Sequence, residues 1–163
     1  MSISSKSVTT WELRKASLSH RICIVQFSNP FMPILLALSK REPRPKIFFH
    51  SDGDVAPLIG DFIEIGVDIL NPIQTSAGSM SDLPALKKRF GSDIIFCGGI
   101  DTRRILPFGS AEEVREEVRR VMQILGPGGG YMIAAVHTVM DDVPPENVLA
   151  MADAVEEFGY YPI

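Results

Sequence analysis

Two histidines, two aspartates and two side-chain amides stand at matching places in this chain. His50, Ser51 and Asp52 come directly after the apolar run Ile47-Phe48-Phe49. Asn71 and Gln74 come after Val67–Leu70, and Gly98, Gly99 and Asp101 after Ile94–Cys97. His137 and Thr138 come after Tyr131–Val136. An imidazole can move a proton near neutral pH or ligate a metal. A carboxylate accepts hydrogen bonds or binds a cation, and an amide orients a polar ligand. If the four apolar runs are parallel strands, these groups converge on one mouth.

The elements that must position them are legible from Lys46 onward. Short apolar runs alternate with helix-like runs, which predicts parallel βα units. Four units over residues 46–163 give about 30 residues each, the size of a βαβ element. The strands read as Ile47–Phe49, Val67–Leu70, Ile94–Cys97 and Tyr131–Val136. Because they are continuously apolar, they are expected to be covered on both faces. The helices read as Val55–Ile65, Leu83–Phe90, a long one opened by the capping box Ser110/Glu113, and Glu146–Phe158. Val114, Val118, Val121, Met122 and Leu125 form the inward stripe of the long helix. Val148, Leu149, Ala152 and Val155 are expected to face inward on the last. Crossovers of one hand put all four strand ends on the same side, where α/β folds carry their sites.

Several of these residues also have a local reading. His50 can close its strand by bonding a loop carbonyl, and Asp54 stands where a helix N-cap belongs. Asn71 before Pro72 can be a turn residue, and one of Gly98 and Gly99 can serve backbone geometry alone. Cys97 reads as core. The glycines at 128–130 precede a strand, so they are no phosphate cradle.

Composition narrows the class. The chain has 163 residues, 45% apolar and 22% charged, with net charge -4. That suits one soluble domain and gives no case for nucleic-acid binding. No run is long enough to span a bilayer, and the start carries no signal-peptide core, so no membrane partner is expected. Two cysteines, Cys23 and Cys97, make no disulfide framework, and a reducing cytoplasm is the expected location. Residues 1–45 are less regular. They offer a short helix over 11–18, a strand over 21–27 and a helix near 33–41, before Pro43 and Pro45.

The stretches FFHSDGDVAPLI, DILNPIQ, FCGGIDTRRILPFGSAEEV and GPGGGYMIAAVHTVMDDVPPENVLAMADAVEEFG occur in order over residues 46–162. They resemble the C-terminal half of the uroporphyrinogen decarboxylase superfamily. The resemblance implies an α/β fold: a partial TIM-type (β/α) barrel, its last four units, from a chain about twice this length. It implies either methyl transfer involving a methylated small molecule or a corrinoid, or decarboxylation of uroporphyrinogen in haem synthesis. It makes His137 and His50 the catalytic candidates, and Asn71, Gln74, Gly99, Asp101 and Arg103 the substrate-binding ones. His50 matches the histidine of a His-x-Cys zinc motif in the methyltransferases, with Asp52 where that motif has cysteine. Zinc at His50 and Asp52, and a corrinoid as co-substrate, are therefore the cofactor expectations. The expected partners are a small-molecule substrate and a corrinoid protein. A third reading is a non-enzymatic or truncated half barrel, completed by a partner or a second copy.

Overall fold

The computed structural model describes residues 46–160. It forms one parallel four-stranded sheet with helices on one side. The strands are β1 (Phe48–His50), β2 (Ile69–Ile73), β3 (Ile95–Ile100) and β4 (Tyr131–Ala135). They lie side by side in chain order, each paired in parallel with its sequence neighbour. The helices are α1 (Ile59–Glu64), α2 (Leu83–Phe90), the short α3 (Ile105–Phe108), α4 (Ala111–Leu125) and α5 (Pro145–Phe158). The expected α/β architecture of four βα units is present. The strand and helices expected before residue 46 lie outside the described residues.

The core sits between the sheet and the helices. Leu70, Ile73, Phe96 and Ile100 of the sheet, Ile59 of α1, Leu83 of α2 and Leu106 of α3 are fully buried there. All five predicted stripe residues of α4 are buried as well. Fully burying a large apolar side chain contributes roughly 1.5–3 kcal/mol. α4 starts where expected, because Ser110 and Glu113 cap it reciprocally. Asp82 likewise caps α2, accepting from Ala85 N at 3.1 Å.

The Ser110 bonds hold the Glu113 carboxyl below its usual range, those from the backbone N–H first. A depressed carboxylate stabilises the fold above its unfolded-state pKa, and that contribution is lost as pH falls through the folded value. Glu113→Gln is therefore expected to be less stable than the parent at neutral pH. The gap should close under acid, read from paired urea melts.

Several expectations are corrected. β2 and β3 run further than read. Asn71 and Pro72 lie within β2, joined by a cis peptide bond, and Gly98 and Gly99 lie within β3. The β2–β3 register shifts between Leu70 and Ile73. Gly98 has φ +116°, and a Cβ there would sit 2.9 Å from Ile73 N, so β2 and β3 approach too closely for a side chain. The segment after β1 opens as a 3-10 turn, Ala56–Leu58, before α1. Its N-cap position is Val55, with no side-chain cap. Asp54 instead accepts from Ser79 N at 3.1 Å, across to the next loop.

The inward face of α5 also differs. Val148, Leu149 and Ala152 are exposed and Val155 is half-buried, while Asn147, Ala150 and Ala154 are buried. Asn147 Nδ2 donates to Leu106 O at 2.8 Å and Gly109 O at 2.7 Å. Those two bonds set the helix rotation and turn Val148 and Leu149 outward. Finally, the sheet is covered on one face alone among the described residues. On the other face Phe48 is 52% exposed and Met132 47%.

Candidate active site at the strand ends

β1 and β4 are the outermost strands of the sheet among the described residues. Three inter-strand steps would place the edges of a flat sheet about 14 Å apart. Yet the rings of His50, on β1, and His137, just after β4, have centroids 6.0 Å apart. The sheet is therefore curled, and side chains from its two edges meet over the helix-free face.

Asp52 stands between the two rings. Its Oδ1 lies 3.4 Å from His50 Nε2 and 3.1 Å from His137 Nε2. His50, Asp52 and His137 each offer one ligand atom within 4.8 Å of the others, and all three residues are exposed. Two ligands bonded tetrahedrally to zinc at 2.0–2.2 Å are themselves separated by about 3.3–3.5 Å. The two spacings to Asp52 Oδ1 fall near that value, and the three ligand atoms together lie within 4.8 Å of one another. A set of three N/O ligands leaves a fourth position open, as catalytic zinc sites do.

The support around these residues suits the same role. His50 Nδ1 lies 2.7 Å from Asn71 Oδ1. A carbonyl oxygen accepts, so Nδ1 donates to Asn71 and Nε2 is the ring nitrogen turned toward Asp52. Ligating histidines are oriented in this way, through the ring nitrogen that faces away from the metal. Asn71 Nδ2 in turn donates to the buried Cys97 Sγ at 3.4 Å, which fixes the amide's direction. Gln74, also buried, accepts from Gly53 N at 2.8 Å and pins the loop that carries Asp52.

Of the predicted site residues, the structure brings His50, Asp52, Asn71 and His137 together. Gln74 acts on the loop backbone. Gly99, at φ +102°, is tightly enclosed, and a Cβ there would meet the Tyr131 hydroxyl at 2.9 Å. That hydroxyl donates to Gly98 O at 2.7 Å, and burial pushes the phenol's pKa up. Asp101 is buried and accepts from Arg103 N at 2.6 Å. Asp101 and Arg103 line a separate cleft toward α4. Cys97, read as core, also touches the site through Asn71. Its signal in the sequence is strand parity, which places it on the face that carries Asn71.

A curled parallel half barrel with polar groups at its strand carboxyl ends defines the (β/α)-barrel class of fold, in which sites lie at those ends. Residues 24–158 match the family described as Uroporphyrinogen decarboxylase (URO-D). The chain belongs to that family. It is 30% identical over 124 residues to a uroporphyrinogen decarboxylase of Methylococcus capsulatus, covering 76% of this chain and 33% of the relative. It is 32% identical over 135 residues to one of Legionella pneumophila, covering 82% and 36%. The matched region is thus about a third of each relative's length. Among solved structures, a methyltransferase from Methanosarcina mazei superposes with a TM-score of 0.63 at 20% identity. The superposition covers 84% of this chain and 37% of the methyltransferase. The fold is shared, and this chain corresponds to part of the longer barrel. No helix among the described residues is long and apolar enough to cross a membrane.

Proposed function

We propose that this chain carries the metal-holding part of a URO-D-type methyl-transfer site. The observation that carries the reading is the convergence of His50, Asp52 and His137 with their ligand atoms within 4.8 Å. A zinc ion held there would act as a Lewis acid and lower the pKa of a bound thiol or water. The chain's own residues do the rest. Asn71 holds His50 in one tautomer, and Gln74 holds the loop that presents Asp52. The Asp52 carboxylate keeps the set anionic, and its hard oxygen makes it weaker for zinc than a thiolate set. A methylated small molecule or methyl-corrinoid would approach over the open face, beside Phe48 and Met132. The test is zinc stoichiometry on the purified chain, followed by loss of methylcobalamin absorbance with a thiol acceptor. Zinc-free protein under zinc excess would sink the reading.

Decarboxylation is the second reading, favoured by the names of the relatives at 30–32% identity. There His137 would supply a proton to a pyrrole carbon of the substrate. Release of carbon dioxide from uroporphyrinogen, lost in His137→Ala, would select it over methyl transfer.

A further inference from the structure

The loops after β2 and β3 enclose a second polar cleft of about 640 Å³. It shares no lining residue with the His50, Asp52 and His137 cluster. Thr75 and Ser76 approach from one loop, and Asp101, Arg103 and Arg104 from the other. Glu117 and Arg120 close it from α4, on the helix-covered side of the sheet.

The charges in this cleft are unevenly satisfied. Arg120 is committed, since its Nε and one terminal nitrogen each lie 2.8 Å from the two Glu117 oxygens. Asp101 is turned onto the backbone N–H of Arg103. Thr75 Oγ1 donates to Gly99 O, and Ser81 Oγ donates to Gly78 O. What remains is two adjacent exposed guanidiniums, Arg103 and Arg104, and the Ser76 hydroxyl. None of the three side chains has an ion pair or hydrogen bond among the described residues. Three guanidiniums face two carboxylates, so the cleft has a net positive charge. An anion in the cleft would meet both guanidiniums, and guanidinium forks match the paired oxygens of carboxylate or phosphate.

We propose that this cleft is an oxyanion subsite, taking a phosphate or carboxylate group on Arg103, Arg104 and Ser76. It stands whether or not a metal binds between the imidazoles. The anion can be a phosphate ester or a carboxylate arm of a ligand, and the test separates these sources.

The experiment is calorimetric titration of the 163-residue chain with inorganic phosphate and, separately, with succinate at constant ionic strength. Saturable binding of either anion is expected. Phosphate alone would mark the phosphate source, succinate alone the carboxylate, and both the shared chemistry. The double variant Arg103→Gln/Arg104→Gln should weaken binding by about tenfold or more, the loss of one or two charge-assisted hydrogen bonds. Glu117→Gln should tighten it, by freeing Arg120 and removing an opposing charge. Lys88→Gln, which removes the same charge from the exposed face of α2, should leave it unchanged. Absence of saturable binding by both anions overturns the proposal. So does an arginine double variant that binds as the parent does, or one matched by Lys88→Gln.

Discussion

Alanine at His137 should weaken zinc binding by this chain by at least about 100-fold, and alanine at His50 by as much. Each removes one of three ligand atoms, whereas loss of a supporting outer residue alone typically costs 10–100-fold. Asn71→Leu should fall in that smaller range, because His50 keeps its ring but loses the partner that sets its tautomer. Asp52→Cys should move the other way, since a thiolate is the softer ligand. In all of them affinity should fall with falling pH, because protons compete for the same nitrogens and oxygens. Competition with a chromophoric chelator measures every member of the series. Equal affinity in the parent and in His137→Ala would remove the metal reading.

Asn147→Leu should destabilise the chain by about 2–4 kcal/mol, and on the order of 10 °C in melting temperature. The buried Asn147 amide donates to two backbone carbonyls, one within α3 and one in the turn between α3 and α4. Leucine removes both bonds and leaves two carbonyls without that donor in an apolar setting. The control is Leu149→Ser, two positions on. Leu149 is 63% exposed, so its loss should stay within about 0.5 kcal/mol. If α5 were rotated so that Val148 and Leu149 faced the core, the order of the two effects would reverse. Urea melts of both variants decide between the two orientations.

That contrast marks what the sequence could tell. Features set by neighbours along the chain were legible: the Ser110/Glu113 box, the Asp82 cap, the α4 stripe and the alternation of strand and helix. Features set across the chain were not. The α5 stripe looked apolar at Val148 and Leu149, but its rotation is set by Asn147 reaching α3. Asp54 looked like a cap for the helix behind it, but bonds Ser79 in another loop. Asn71 before a proline had a turn as its local alternative, but it belongs to a strand. At the site, residue types and strand-end positions pointed to His50, Asp52, Asn71 and His137. The curl that joins the two sheet edges carries no local signal. Gln74 shows the same limit, since it serves a loop backbone nitrogen.

The order of the strands has a consequence for how this unit gains and loses its shape. Among the described residues each strand pairs in parallel with its sequence neighbour, across a whole helical connection, so every pairing must close a loop of about twenty residues or more. The imidazole pair, however, comes from the first strand and from just beyond the last. An intermediate lacking either terminal unit therefore cannot bring the two rings together. A ligand held between those two rings would require both ends of the described sheet to be in place, and fraying of either end would release it.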